Sequence, residues 1–216
     1  MIVTSSNGST LPPGREKFAI DPFGYSSLGA EEWKIACAMA GEPIDPAMSV
    51  SDQLKNPILW LAHAQAMSGA AQTLLHQEQQ FELMPPVVRR ICERQYCAIA
   101  LMLVGYSLEI ALKAMIIVKE RVEGYRVIEK KTKHHRLQDL ASFIPDLSKK
   151  DMAILRTLTH FVSWAGRYPD PGSGREELLE DIFGMSEKHR VTAGNLFSLA
   201  NRVMQHTSNV VEESFC

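Results

Sequence analysis

The sequence lacks the short motifs that mark the most familiar enzyme sites. Its 216 residues contain no Walker A loop, no G-x-G-x-x-G, no H-E-x-x-H, no G-x-S-x-G and no EF-hand loop. The paired E-x-x-H motifs of a di-iron helical bundle are missing as well. These absences argue against the common nucleotide, zinc, calcium and serine-nucleophile chemistries, and we expect neither a cofactor nor a metal ion.

The chain also has few cysteines and no large excess of charge of either sign. The net charge is −2, with a sequence pI near 6.4, which argues against broad, charge-driven binding to nucleic acid but leaves room for a local basic patch. No apolar signal segment is visible in residues 1–10, so we expect a cytoplasmic protein. The cysteines form no C-x-x-C pair and are expected to be reduced thiols rather than zinc ligands; they are Cys37, Cys92, Cys97 and Cys216.

Proline is missing from residues 87–142, and this stretch organises the chain. It predicts one helix from residue 86 to about 123, about 55 Å long at 1.5 Å per residue. Residues 96–118 are apolar on nearly all sides, which is typical of a central bundle helix or a membrane span. Glu109 and Lys113 would cost roughly 2.5–3.5 kcal/mol each near the middle of a bilayer. We therefore favour a central helix and expect no membrane partner.

No stretch alternates with period two for long enough to predict a strand, so the fold class is all-α. We expect a bundle of long up-and-down helices with short accessory helices. Residues 1–48 are predicted to be an irregular arm with one short helix, residues 49–210 the bundle domain, and residues 211–216 a polar tail. Residues 123–136 are basic and predicted to be a loop. Apolar spacing predicts the other helices at 28–40, 58–81, 137–144, 148–165, 176–183 and 186–209.

Two pairs of polar residues stand four apart on predicted helices. Glu109 and Lys113 face the same way, either as a half-buried ion pair or as a polar patch lining a cleft. Arg156 and His160 also share a helical face. An arginine beside a histidine can hold a phosphate and move a proton, the minimum for metal-free RNA cleavage. The alternative is that Arg156 is a surface charge and His160 a core or capping residue.

The order of several segments resembles the HEPN family. The segments are GYSLEIALKA at 105–114, HRLQDL at 135–140, the helix from Leu155 onward and WAGRYP at 164–169. In HEPN proteins a G-x-x-L-E-x-x-L-K-like helix precedes an H-x-L-x-x-L segment, and an arginine-rich helix end closes the site. The resemblance covers about residues 87–169 and, less clearly, the last helix.

The resemblance implies a small helical bundle that dimerises. Many members are metal-independent ribonucleases of toxin or defence systems; others are inactive modules that bind RNA or protein, often beside a nucleotidyltransferase. Active members carry Arg, then four to six residues, then His, whereas three residues separate Arg156 from His160 here.

We therefore expect a non-catalytic, homodimeric HEPN-like binding or regulatory module, whose partners are RNA, a nucleotide, a nucleotidyltransferase or an antitoxin. The alternative is a ribonuclease in which Arg156 holds the scissile phosphate and His160 transfers protons. The side chains expected to form a binding or polar cluster are Glu109, Lys113, His135, Arg136, Arg167 and Tyr168.

Overall fold

The structure is a computed structural model that describes residues 14–41, 43–77 and 81–215. Across those residues it contains ten α-helices, one π-helical turn and no strand, which confirms the predicted all-α helical bundle. The chain divides into two compact units, Met1–Leu54 and Lys55–Cys216. The bundle lies in the second unit.

The first unit holds four short helices. They are α1 (Glu16–Ile20), α2 (Pro22–Ser27), α3 (Gly29–Met39) and α4 (Val50–Gln53), and none of them has a buried residue. One helix was expected before residue 48, and it corresponds to α3. Helix α2 forms in a stretch predicted to be irregular because the Asp21 side chain accepts a hydrogen bond from the Gly24 N–H and Pro22 suits the first turn. The predicted irregular residues 1–13 lie outside the described residues.

The second unit is built around one long helix, α6. Its helices are α5 (Pro57–His76), α6 (Pro86–Thr132), α7 (Leu137–Leu140), α8 (Lys149–His160), α9 (Glu177–His189) and α10 (Ala193–Phe215). A π-helical turn, Phe161–Ala165, follows α8 directly. Helices α5, α7, α8 and α10 and the π-turn all contact α6. The core between them contains Leu108, Leu112, Met115, Leu155 and Leu199.

Helix α6 is long and apolar, and much of its surface is buried in the bundle. In the described part of the chain it is the one helix long and apolar enough to cross a membrane, and 61% of its most apolar window is buried inside the structure. Its burial is that of a core helix, because eleven residues from Ala100 to Ile117 are buried and several of them belong to the hydrophobic core. The α6 pattern therefore arises from packing on several sides at once.

Helix α6 does not end near residue 123 as predicted; a kink at Arg121 redirects it. Arg121 has φ 54° and ψ 173°, and the helix then continues to Thr132. The prediction of a loop was wrong for residues 123–132 because this segment finds a packing partner. Tyr125 is 3% exposed, and its ring meets Trp60 of α5 edge to face at 6.5 Å. Burial of that aromatic pair holds the basic segment in a helix.

The end of the chain also differs from the prediction. Helix α9 extends through His189, where a helix of one or two turns was expected, and Arg190 in the left-handed conformation ends it. Helix α10 then begins at Ala193 because the Thr192 hydroxyl accepts a hydrogen bond from the Asn195 N–H at 3.2 Å. The expected polar tail is helical as far as Phe215.

The junction of α6 with the π-turn is unusually close. A Cβ built on Gly105 would lie 2.4 Å from Val162 Cγ2, and one on Gly166 would lie 2.4 Å from Met102 Cβ. The two glycines therefore let α6 and the π-turn approach each other. Helix α8, which leads into this junction, begins with a capping box formed by Ser148 and Asp151.

Candidate functional site

Arg156 and His160 share one carboxylate, that of Asp181. Arg156 donates from Nε and Nη2 to the two Asp181 oxygens at 3.1 and 3.0 Å. The His160 Nε2 atom lies 2.8 Å from Asp181 Oδ2. Arg156 and His160 come from α8 and Asp181 from α9, so the three side chains link the two helices. We call these three residues the α8–α9 cluster.

The carboxylate of this cluster is held in its charged form. Burial raises the pKa of Asp181, but the hydrogen bond from His160 and the charge of Arg156 outweigh it and leave the pKa below its usual value. The Arg156 side chain is 53% exposed and that of His160 is 12% exposed. The cluster is therefore open to solvent on its arginine side and closed on its histidine side.

An open groove of about 510 Å³ runs beside the α8–α9 cluster. Its basic lining residues are Arg136, Arg156 and His160, and its acidic ones come from α9: Glu177, Glu180 and Asp181. A groove that holds a polyanion needs an excess of positive charge. Here α9 places three carboxylates opposite the three basic side chains, so the groove has no such excess.

Glu109, Lys113 and His135 form a second cluster, which we call the α6 cluster. The Glu109 carboxylate accepts a hydrogen bond from Lys113 Nζ at 2.7 Å and lies 2.9 Å from His135 Nδ1. The Glu109 and Lys113 side chains are only 7% and 12% exposed, whereas His135 is 46% exposed. The His135 ring also meets Tyr106 edge to face at 5.9 Å. The structure thus pairs Glu109 with Lys113 and adds His135 from the loop before α7.

The neighbours of His135 have other partners. Arg136 forms an ion pair with Asp139, three residues along the chain. His134 does not join the α6 cluster; burial and the charge of Arg136 lower its pKa. The two adjacent histidines therefore have different surroundings, and one of them faces the buried carboxylate of α6.

Arg167 and Tyr168 lie with neither cluster. The Arg167 guanidinium donates to the backbone carbonyl of Ser163, and its centre lies 5.4 Å from the centroid of the Tyr168 ring. Both residues belong to the chain that leaves the π-turn. The six side chains expected in one binding or polar cluster are thus divided: three form the α6 cluster, Arg136 lies at the groove, and Arg167 and Tyr168 contact each other.

Asp181 is the residue that the sequence reasoning missed. It lies in a run of acidic residues, Glu176, Glu177, Glu180 and Asp181, at the start of α9. An acidic amphipathic segment downstream of a helix that carries arginine and histidine is the signal that could have identified it. That signal is weak because such acidic runs are usually solvated helix starts.

The described residues hold no cluster suited to a metal ion. Across residues 14–41, 43–77 and 81–215, no group of three or more His, Cys, Asp or Glu side chains lies in an arrangement that could bind one. Comparison with protein-family models, curated proteins and solved structures gives no match to this chain. The two clusters and the surfaces around them are therefore the candidate functional features of this chain.

Proposed function

We propose that the chain is a non-catalytic HEPN-like helical module that acts by binding, as a homodimer. The HEPN-like part of this proposal is supported by the positions of the resembling segments. The segment 105–114 lies at the centre of α6, 135–140 leads into α7, and 164–169 follows α8 through the π-turn. The three segments meet in one bundle because α6, α7, α8 and the π-turn pack together.

The observation that supports the absence of catalysis is the position of Asp181. A ribonuclease site of the Arg–His kind needs the guanidinium free for a phosphate and the imidazole free for a proton. Here the guanidinium makes two hydrogen bonds to Asp181, and the His160 Nε2 faces the same carboxylate. The carboxylate thus occupies the place that a phosphate would need.

The homodimer is supported by an apolar surface at the start of α6. None of residues 86–99 is buried. Val87, Val88, Ile91 and Ile99 are 60%, 44%, 56% and 39% exposed. An exposed apolar patch of this kind is typical of a protein interface. A second copy of the same helix, packed across a two-fold axis, would cover it.

The binding partner that this module serves is proposed to be RNA, a nucleotide or a protein such as a nucleotidyltransferase or antitoxin. The basic stretch at the end of α6 supports a polyanion partner over a purely apolar one. Residues 126–136 carry five Lys or Arg side chains and one acidic side chain, Glu129, and Lys130, Lys131 and Lys133 are exposed.

The test for catalysis is cleavage of a mixed single-stranded and structured RNA pool in EDTA. We expect no cleavage by the wild type and none by Arg156→Ala/His160→Ala. Asp181→Asn is the informative third protein, because it keeps the size of the side chain and removes the charge that faces Arg156. Cleavage by the wild type that the double variant loses would establish the alternative function, a metal-independent ribonuclease with Arg156 and His160 as its catalytic residues.

The test for the homodimer is sedimentation velocity on Ile91→Glu. A charge in the centre of the apolar patch should convert a dimer to a monomer across the micromolar range. Glu93→Gln, which changes the charge by one unit at an exposed position on the other side of the same helix, is the matched control and should remain dimeric. A wild type that is monomeric throughout this range would contradict the homodimer.

A further inference from the structure

A second cavity, of about 300 Å³, lies between α9 and the rest of the bundle. It differs from the groove beside the α8–α9 cluster because no charged side chain lines it. Leu101 of α6, Ile154 and Leu158 of α8, and Leu196 of α10 contribute apolar surface from three helices. Ile182 of α9 and Phe161 of the π-turn contribute further apolar surface.

Three of the apolar side chains of this cavity belong to the bundle interior. Ile154 and Leu158 are each 2% exposed, and Leu196 is 8% exposed. The cavity opens to solvent on its other side, where Ser186, Thr192 and Ala193 are exposed. Small-molecule sites begin at about 300 Å³. A cavity of this size and lining is therefore suited to a compact apolar molecule.

Few hydroxyl groups at the cavity are available to bond a polar group of a ligand. Thr157 donates to the Ala153 carbonyl at 2.9 Å, and Thr192 donates to Asn195 Oδ1 at 3.0 Å, so both hydroxyls already have acceptors. Ser186 of α9 lines the cavity and is exposed. One polar group of a ligand could bond there, while the rest of the ligand would meet hydrocarbon.

We propose that this cavity binds a compact apolar molecule of one or two rings that carries a single hydrogen-bonding group. The ring system would lie against Ile154, Leu158 and Leu196, and its polar group would face Ser186. Phe161 offers a ring for an edge-to-face contact. The site is independent of the proposed function, since it uses none of the side chains of the α8–α9 or α6 clusters.

The test is a titration of the full chain with indole, followed by the methyl resonances of its Ile, Leu and Val residues. We expect saturable shifts below millimolar indole, confined to methyl groups that line the cavity, including Ile154, Ile182 and Leu196. Two variants are designed to fill the cavity, Thr157→Leu from α8 and Ser186→Phe from α9. Each should weaken indole binding by about tenfold or more, because the added side-chain volume takes the place of the ligand.

The matched control is Ser198→Phe, which adds the same side chain at an exposed position of α10 away from the cavity lining. It should bind indole like the wild type. Circular dichroism melting identifies any variant that fails to fold, and the other cavity variant then decides. Absence of saturable shifts in the wild type, or unchanged affinity in a folded cavity-filling variant, would overturn the proposal.

Discussion

The two polar clusters contain the same kinds of side chain, but their carboxylates come from helices that are buried to different extents. Each places one carboxylate between a basic side chain and a histidine: Glu109 between Lys113 and His135, and Asp181 between Arg156 and His160. In the α6 cluster the carboxylate belongs to the central helix and is 7% exposed. In the α8–α9 cluster it belongs to a helix with no buried residue and is 24% exposed.

The two clusters differ in which element carries and fixes the carboxylate. Glu109 is fixed by the core around α6, so His135 and Lys113 are organised by the bundle. Asp181 is brought in by α9, which contacts α8 and follows a loop that contains two glycines at positive φ, Gly172 and Gly174. In the α8–α9 cluster the bundle supplies Arg156 and His160, and we expect these two side chains to hold α9 through Asp181. A substitution of either carboxylate breaks one cluster without touching the other.

The largest effect is expected from Glu109→Gln. The substitution leaves the Lys113 ammonium in a site that is 12% exposed and without its carboxylate, and removing one member of a buried pair typically costs about 3 kcal/mol or more. Urea unfolding should show this loss. The Glu109→Met/Lys113→Met double variant should recover most of it, because no charge is then left buried.

Asp139→Asn is the control for this comparison, since it removes a carboxylate from an exposed pair with Arg136. It should cost less than about 1 kcal/mol. Equal losses in Glu109→Gln and Asp139→Asn would show that the α6 cluster is no more buried in solution than a surface pair.

The next effect concerns the junction between α6 and the π-turn, which lies one turn from Glu109. Gly105→Ala should lower the free energy of unfolding by about 1–3 kcal/mol, because the new Cβ meets Val162 Cγ2 at 2.4 Å and Val162 is fully buried and stiff at χ1. Thermal or urea unfolding measures the loss.

Gly69→Ala is the matched control within helix α5. No atom lies within 4 Å of a Cβ at that position, so the substitution should raise stability by up to about 1 kcal/mol through helix propensity. A Gly105→Ala protein as stable as Gly69→Ala would contradict the close approach of α6 to the π-turn.

A smaller effect is expected from Asp181→Asn. Its partner Arg156 is half exposed, so we expect a loss of about 0.5–1 kcal/mol at neutral pH. The pKa of Asp181 is lower in the folded chain than in the unfolded chain, so its contribution is present above the unfolded pKa of about 3.9 and is lost as the pH falls through the folded pKa.

Urea titrations of the wild type and Asp181→Asn from pH 7 to pH 2 measure this dependence. The difference in stability between the two proteins should be constant at neutral pH and should shrink below about pH 4. A difference that grows as the pH falls would have the wrong sign and would contradict the ion pairs of Asp181.

The sequence predicted the parts of this structure that depend on local patterns. The all-α class and the central position of α6 follow from helical spacing and residue type. The continuation of α6 past Arg121 could not be predicted, because it depends on the contact between Tyr125 and Trp60, which are 65 residues apart.

In the candidate site, the pairs of residues on one helix could be predicted, but the contact between two helices could not. Glu109 with Lys113, and Arg156 with His160, follow from a spacing of four on a helix. Asp181 could not be assigned, because its contact with α8 depends on how the loop from Gly166 to Glu176 returns the chain. That one side chain favours a structural role for Arg156 and His160, the attachment of α9, over the phosphate binding of the alternative function.

Hydrogen exchange of the α9 amides, compared between the wild type and Arg156→Ala/His160→Ala, tests most directly whether these two side chains hold α9. The account predicts faster exchange in residues 177–189 of the double variant, with exchange in α6 and α10 unchanged, because local opening of α9 is no longer opposed by the cluster. Exchange in α9 that is as slow in the double variant as in the wild type would contradict it.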